Sequence, residues 1–311
     1  MTPAAPVLSV TAASLEFQNP LLLAAGTAAY GRELAGVIEL DRLGGLVTKA
    51  VSPEPRHGAP APRVAEFEGG MINAVGLANP GLEAVKREDL PWLEANVRAA
   101  RVLVNVVGNA VEDFATVVES LTDTERVDGF ELNVSCPNVR AGGMEFGADR
   151  DTLAALVSRA RSVTPKPVFV KLSPTLPSIA DTARAAVDAG ADGITLVNTI
   201  PGLVIDLETR RPALGFGSGG VSGSGLLPVG VLAVWKVSRA VKVPLIGVGG
   251  VTRGTDAIQY LMAGASLVGL GTAALRDPRA PARVLAELCD WCRSHGVGSV
   301  AELTGSLEWS S

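Results

Sequence analysis

The sequence has few aromatic residues and no long apolar run. Aromatic side chains make up 4% of its 311 residues, too few for a surface that binds nucleic acid by stacking on bases. The net charge of −5 also disfavours nucleic acid and anionic membranes as main partners. No stretch reaches the roughly 18 consecutive apolar residues of a transmembrane helix, so we expect no membrane span.

Cysteine is scarce as well. Three cysteines in 311 residues do not make a disulfide framework. The N-terminus lacks the basic segment that precedes the apolar segment of a secretory signal. We therefore expect the protein to work in the reducing cytoplasm. Hydrophobic residues amount to 47% and charged residues to 19%, so a large buried core is expected.

Short apolar runs alternate with longer stretches of helical pattern along most of the chain. Continuous apolar strands joined by helices are typical of a buried parallel sheet. Eight such units in a chain of about this size predict a (β/α)8 TIM barrel, with a doubly wound sheet as the competing fold. The eight runs are Leu21–Ala25, Gly45–Thr48, Val102–Val107, Phe130–Val134, Val168–Leu172, Ile194–Val197, Leu245–Val248 and Leu267–Leu270.

We expect all 311 residues to form a single barrel domain that begins with a β-hairpin in residues 7–18. Two connections are longer than a barrel needs, at residues 51–100 and 199–226. Both follow predicted strands, so both should lie over the C-terminal face, where barrel active sites are found. Long loops in a compact domain are usually functional.

Lysines and amides stand near the ends of several predicted strands. Lys49 and Lys171 end buried strands, and a lysine there needs a partner because desolvation of an ammonium group is costly. Three asparagines, Asn105, Asn133 and Asn198, occupy similar positions. The pattern favours a planar, polar, anionic ligand, and the alternative is a structural salt bridge for each lysine.

Glycines follow the last two predicted strands. A phosphate site after strands seven and eight is common in barrels, because backbone N–H groups approach an anion closely where no Cβ intervenes. Gly249-Gly250 and Gly271-Thr272 could supply these groups, with Gly223 on the long loop as a third wall. The alternative is that the glycines only make tight turns.

A thiol follows the fourth predicted strand. Pro137 cannot donate to a sheet, so the strand that contains Leu132 and Val134 should end near it. That places Asn133 near the strand end and Cys136 on the loop just beyond it. Cys136 is therefore a candidate for reacting with whatever the strand ends hold.

Five segments together resemble the dihydroorotate dehydrogenase family, class 1, and most closely its B subtype. The segments are Glu131–Asn138 (ELNVSCPN), Met71–Leu77 (MINAVGL), Val170–Pro174 (VKLSP), Asn198-Thr199 and Gly247–Val251 (GVGGV). The resemblance extends over nearly the whole chain. It implies an FMN-containing barrel that oxidises dihydroorotate to orotate in pyrimidine synthesis.

The resemblance also implies roles for individual residues. Cys136 is the catalytic base, and Lys49 lies between flavin and substrate. The implied flavin-binding residues are Ala25, Gly26, Lys49, Ala50, Asn105, Asn133, Lys171, Val197, Gly223, Gly249, Gly250, Gly271 and Thr272. The implied substrate-binding residues are Lys49, Asn73, Ala74, Val75, Gly76, Leu77, Asn133, Asn198 and Thr199. No metal site is implied. Ala25 stands where the family more often has serine.

Partners follow from the same resemblance. The B subtype implies a homodimer that works with a subunit carrying FAD and a 2Fe–2S cluster, which passes electrons to NAD. This chain has too few cysteines for such a cluster and lacks a Gly-x-Gly-x-x-Gly motif after its first strand. Two alternatives stay open, a flavoenzyme similar to dihydropyrimidine dehydrogenase and a non-catalytic barrel subunit.

Cys289, Cys292 and His295 resemble a redox or metal motif. A structural zinc site needs four ligands, and only three are local. We interpret the two cysteines as part of the buried face of a C-terminal helix. His57, in the proline-rich loop, is interpreted as a solvated residue.

Overall fold

The computed structural model of the chain describes residues 5–135, 137–138 and 144–309. Eight parallel strands form a closed barrel in which each strand pairs with its neighbours in sequence, and the eighth pairs with the first. The strands are β1 (Leu21–Leu23), β2 (Gly45–Val47), β3 (Arg101–Val106), β4 (Gly129–Asn133), β5 (Val168–Leu172), β6 (Gly193–Leu196), β7 (Leu245–Val248) and β8 (Leu267–Leu270). The predicted TIM barrel is confirmed.

Helices follow most of the strands. They are α1 (Leu90–Asn96), α2 (Val111–Leu121), α3 (Arg150–Arg161), α4 (Ile179–Asp188), α5 (Leu227–Ser238), α6 (Gly254–Ala263), α7 (Thr272–Arg276) and α8 (Ala280–Ser294). Short helical turns lie at Leu40–Arg42, Leu82–Ala84, Val85–Asp89, Phe146–Ala148, Ser224–Leu226 and Val300–Leu303. Within the described residues, no helix has both the length and the apolar character needed to cross a membrane.

Side chains alternate between the helices and the barrel interior along each strand. Phe169 on β5 shares one face of the sheet with its register partner Gly193, since a Cβ added to Gly193 would lie 2.3 Å from the ring. Gly247 on β7 faces outward, where an added Cβ would meet the ring of Tyr260 on α6. This alternation determines which residues of a strand can reach the mouth of the barrel.

The predicted N-terminal hairpin is present. Val10–Ala12 pairs with Leu15–Phe17 in antiparallel register. Ala13 and Ser14 make the turn with positive φ angles of 48° and 67°. The carbonyl of Glu16 accepts a hydrogen bond from Nε of Arg101, the first residue of β3. The hairpin therefore lies at the N-terminal end of the barrel, opposite the mouth.

The two long connections pair with each other. Gly70–Asn73 lies between Val64–Phe67, from the same connection, and Gly219–Gly223, from the other. Ile200–Gly202 pairs with the far edge of Gly219–Gly223. The result is a four-stranded antiparallel sheet at the C-terminal side of the barrel. Its pairing was not predicted from the sequence.

Candidate active site

Polar side chains occupy the inward face of four neighbouring strands, β3 to β6. Asn105 is the register partner of Glu131, and Asn133 is the register partner of Lys171, which is in turn opposite Thr195. All five residues are buried. Strand alternation predicts this clustering for Asn133 and Lys171. Glu131 and Thr195 were missed, although each lies on the inward face of a strand that ends at the barrel mouth.

The ammonium group of Lys171 has no hydrogen bond or ion pair among the described residues. Its side chain is 7% exposed. Because an unpaired ammonium group is costly to bury, the arrangement favours a bound anion over a structural role. A structural salt bridge, the alternative for Lys171, finds no support in the part of the chain that the structure describes.

Lys49 follows β2 and is half-buried. Its backbone N–H donates to the carbonyl of Ala29 at 2.7 Å, and its side chain has no partner within the described ranges. The neighbouring Ala50 is buried, and its carbonyl accepts a hydrogen bond from the hydroxyl of Tyr30 at 2.9 Å. Burial raises the pKa of Tyr30, so its hydroxyl stays a donor at neutral pH. These contacts fix the backbone on which Lys49 stands.

Ser135 connects two of the predicted substrate-binding amides. Its Oγ donates to Oδ1 of Asn133 at 3.0 Å and accepts from Nδ2 of Asn198 at 2.6 Å. Oδ1 of Asn198 accepts from the backbone N–H of Thr199 at 2.8 Å. The structure therefore brings Asn133, Asn198 and Thr199 together. Ser135 was missed, although its place two residues after Asn133 was a usable signal.

The predicted substrate loop, residues 73–77, is held by the sheet of the long connections. Nδ2 of Asn73 donates to the carbonyl of Gly220 at 3.3 Å, and the N–H of Ala74 donates to the carbonyl of Arg63 at 2.8 Å. The carbonyl of Val75 accepts from Ala59 at 3.1 Å. The loop then turns through Gly76 and Leu77, whose φ angles are 69° and 56°.

Backbone N–H groups are available as donors at the part of the mouth where β7 and β8 end. The N–H groups of Gly249, Gly250 and Gly271 have no hydrogen-bond partner within residues 5–135 and 144–309. They follow β7 and β8, where barrels commonly bind phosphate. Oγ1 of Thr272 donates to Oγ of Ser222 at 2.8 Å. This bond connects the end of β8 to the sheet of the long connections.

The predicted glycines differ in what they are needed for. Gly250 has a φ of 72°, and an added Cβ would lie 2.4 Å from the backbone nitrogen of Leu227. Gly223 has a φ of 127°, and an added Cβ would lie 2.5 Å from the carbonyl oxygen of Gly69. Gly26 has nothing within 4 Å of an added Cβ, so this position borders open space. Tight packing explains why Gly250 and Gly223 are glycines. The open space beside Gly26 would allow a ligand to approach its backbone.

Three predicted site residues remain to be placed. Ala25, half-buried, follows β1. Val197 follows β6, and its N–H donates to the carbonyl of Val248 at 3.0 Å. Cys136, the predicted base, lies outside the described residues. The implied roles of all these site residues remain predictions.

The C-terminal cysteines lie on α8. Cys292 is buried, and burial raises the pKa of its thiol. Sγ of Cys289 lies 3.6 Å from a guanidinium nitrogen of Arg293. His295 stacks on Trp291 with ring centroids 3.9 Å apart. No group of three or more His, Cys, Asp or Glu side chains in the described part of the chain could hold a metal ion.

The residues at the mouth fit a flat anionic group that carries a phosphate. Within the part of the chain that the structure describes, Lys171 offers an unpaired cation and Gly249 and Gly250 offer free N–H groups, and Gly26 borders open space. FMN has this chemistry. The fold and site therefore define a barrel enzyme of the flavin-dependent class.

The profile of the family described as dihydroorotate dehydrogenase matches residues 7–291. The chain belongs to this family. Members of the family are FMN-dependent flavoproteins that oxidise dihydroorotate.

Two relatives match almost end to end. A protein of Pelobacter propionicus named dihydroorotate dehydrogenase B (NAD(+)), catalytic subunit, is 44% identical over 303 residues, which cover 97% of this chain and 99% of the relative. A protein of Solibacter usitatus, provisionally named dihydroorotate dehydrogenase A (fumarate), is 45% identical over 304 residues, which cover 98% of this chain and 99% of the relative.

A solved structure shows the same architecture. The dihydroorotate dehydrogenase of Eimeria tenella, crystallised with ferulenol, superposes with a TM-score of 0.81 at 26% sequence identity. The match covers 97% of this chain and 88% of the Eimeria chain.

Proposed function

We propose that this protein oxidises (S)-dihydroorotate to orotate, the flavin-dependent step of pyrimidine biosynthesis, and that the barrel mouth described above is its active site. The observation that carries the assignment of the site is Lys171, a buried residue beside Asn133 whose ammonium group has no partner among the described residues. Family membership supports the proposed reaction, and the residues at the barrel mouth support the proposed position of the active site.

The reaction removes a proton from C5 of the substrate and a hydride from C6. FMN, when bound, accepts the hydride. Cys136 is proposed to accept the C5 proton, because a thiolate is a suitable base near neutral pH. Lys171 is proposed to stabilise the negative charge that the hydride brings to the ring system. The proton, the electron pair and the charge then each have an acceptor.

The remaining polar residues are proposed to hold the substrate. Asn73, Asn133, Asn198 and Thr199 supply the amide and hydroxyl groups that hydrogen-bond a pyrimidine ring. Lys49 is proposed to contact both ring systems, since the residue is half-buried and its ammonium group has no partner among the described residues.

The central experiment is anaerobic bleaching of bound FMN by dihydroorotate. Wild-type protein should bleach with dihydroorotate and not with dihydrouracil, which lacks the carboxylate. Cys136→Ala should slow bleaching by at least 10²-fold and leave the FMN content unchanged. Lys171→Met should lower both the FMN content and the bleaching rate. Faster bleaching by dihydrouracil would favour the dihydropyrimidine dehydrogenase alternative, and a colourless protein would favour a non-catalytic barrel.

The electron acceptor is a separate part of the proposal. We propose that a subunit carrying FAD and a 2Fe–2S cluster passes the electrons to NAD, as the name of the Pelobacter relative suggests by calling it a catalytic subunit of an NAD-linked enzyme. The isolated chain should then reduce NAD only after the partner subunit is added. Turnover with NAD by the isolated chain would contradict this proposal.

Fumarate is the second candidate acceptor, because the Solibacter relative is provisionally named for it. One assay distinguishes fumarate from NAD as the electron acceptor. Reduced protein is mixed anaerobically with fumarate, and reoxidation of the flavin is followed by its absorbance. Fast reoxidation without a partner subunit would favour fumarate over NAD.

We also propose that the chain works as a single domain in a cytoplasmic homodimer. Large apolar side chains are exposed on the connection that follows β6, including Leu207, 81% exposed, and Phe216, 67% exposed. We propose that they form the dimer contact, because large exposed apolar patches mark interaction surfaces. Light scattering should give twice the mass of the chain, and L207D combined with F216D should give a monomer.

A further inference from the structure

A carboxylate is buried inside the barrel beneath the proposed flavin site. Glu131 lies on β4, two residues before Asn133, and is 1% exposed. Because side chains alternate along a strand, Glu131 and Asn133 share the inward face of β4. Burying a carboxylate is costly unless it is hydrogen-bonded, so a glutamate at this position needs a physical reason.

Glu131 accepts a hydrogen bond from Asn105. The two residues are register partners on β4 and β3, and Nδ2 of Asn105 lies 2.8 Å from Oε1 of Glu131. An ionised carboxylate only accepts hydrogen bonds, so it determines which end of the amide faces it. The NH2 group of Asn105 is therefore held towards Glu131, and Oδ1 is turned away from it.

The carbonyl oxygen of the Asn105 side chain is left without a donor. Oδ1 has no hydrogen-bond partner in the described part of the chain, although the residue is only 1% exposed. Oδ1 is not one of the fully enclosed side-chain atoms without a partner, so a ligand can still reach it. Lys171 stands on the same inward surface, two strands away. The unused acceptor thus lies among the groups that the proposed function assigns to the flavin.

We propose that Glu131 is a positioning residue that acts through Asn105. It holds the carbonyl oxygen of that amide ready to accept a hydrogen bond from an N–H of the flavin ring. The oxidised ring carries one N–H group, at N3, and this donor matches an acceptor held in a fixed direction. The inference rests on the proposed function and adds a residue to it that does not itself contact the ligand.

Glu131→Gln tests the inference with little change in shape. Glutamine both donates and accepts, so the amide of Asn105 can face either way. The Kd for FMN should rise about fivefold, which corresponds to the net contribution of one hydrogen bond. The absorption spectrum of bound FMN should also change, because it responds to hydrogen bonds at the ring. Glu119→Gln, at an exposed position of α2, makes the same change in charge and should alter neither quantity.

A double-mutant cycle separates positioning from a general loss of structure. Asn105→Ala removes the group through which Glu131 acts. E131Q should therefore raise the Kd for FMN in the wild-type background and have no further effect in the N105A background. Equal effects in both backgrounds would overturn the inference. A lower Tm of E131Q with unchanged Kd and spectrum would overturn it too, because the role would then be structural.

The cycle also distinguishes this inference from the function on which it rests. Wild-type protein that takes up no FMN would overturn the proposed site and the role of Glu131 together. Wild-type protein that binds FMN and bleaches with dihydroorotate, combined with an E131Q variant that is identical in Kd and spectrum, would overturn the role of Glu131 alone.

Discussion

The hydroxyl of Tyr260 donates a hydrogen bond to the backbone carbonyl of Gly249 across 2.8 Å. Tyr260 lies on α6, outside the barrel, and Gly249 is the first residue after β7 at the mouth. Burial raises the pKa of Tyr260, so the hydroxyl remains a donor at physiological pH. The bond therefore connects an outer helix to one of the glycines that we propose bind phosphate.

Tyr260→Phe should weaken FMN binding. The variant keeps the ring that packs against Gly247 and loses only the bond to Gly249, which contributes about 1 kcal/mol. We expect the Kd for FMN to rise about fivefold in a fluorescence titration. Ser238→Ala removes hydroxyl bonds to the carbonyls of Trp235 and Ala263 and should lower Tm without changing that Kd. Equal FMN affinity in Y260F and wild type would contradict the prediction.

Gly250→Ala should disrupt the same side of the mouth more strongly. Gly250 has a φ of 72°, and the new Cβ would lie 2.4 Å from the backbone nitrogen of Leu227. A left-handed conformation alone costs an alanine about 1–2 kcal/mol, and the clash adds to it. We expect a lower Tm and a loss of FMN during purification. Gly36→Ala, at an exposed glycine with open space around it, should keep both properties, and a G250A variant that did the same would refute the argument.

Ser135→Ala should weaken the binding of the substrate. The variant removes the hydroxyl that joins Asn133 to Asn198, so the two amides lose their fixed relative orientation. Two hydrogen bonds of about 1 kcal/mol each predict a KM for dihydroorotate that is about 30-fold higher. Steady-state kinetics with a measured FMN content would test this. Ser162→Ala, at the surface end of α3, is the control, and an unchanged KM for S135A would count against a role for Ser135.

Asp277 makes a pH-dependent contribution to stability. Hydrogen bonds from Arg283 and Arg279 lower the pKa of its carboxyl from 3.8 to about 2. A carboxyl whose folded pKa is depressed stabilises the fold above its unfolded pKa and loses that contribution as the pH falls through the folded value. Wild type should therefore exceed Asp277→Asn in urea midpoint at about pH 6, and the difference should shrink between pH 3.8 and about 2. A difference independent of pH would exclude this linkage.

The barrel strands could be predicted because their signal is local. Val168–Leu172 and Leu245–Val248 are runs of buried apolar residues that end at polar residues or glycine, and the structure places strands over the same residues. Lys171 was recognisable for the same reason, since a lysine inside such a run stands out. Local patterns of this kind need no knowledge of distant contacts.

The pairing of the long connections could not be predicted, because it depends on residues far apart in the chain. Gly70–Asn73 and Gly219–Gly223 are short and have little apolar alternation, and the second contains three glycines. Glu131 was hidden in another way. The sequence showed it only as part of the motif ELNVSCPN. Its proposed role depends on a hydrogen bond from Asn105, which lies on a different strand.

Because the two long connections pair in one sheet, neither can be replaced without affecting the other. The ladder that joins Asn73 to Gly220 and the ladder that joins Val221 to Ile200 place both proposed substrate segments on one framework. Grafting one connection from a relative, without the other, would leave an unpaired strand edge at the barrel mouth. Specificity at this site should therefore change, in evolution and in engineering, by exchange of both connections together.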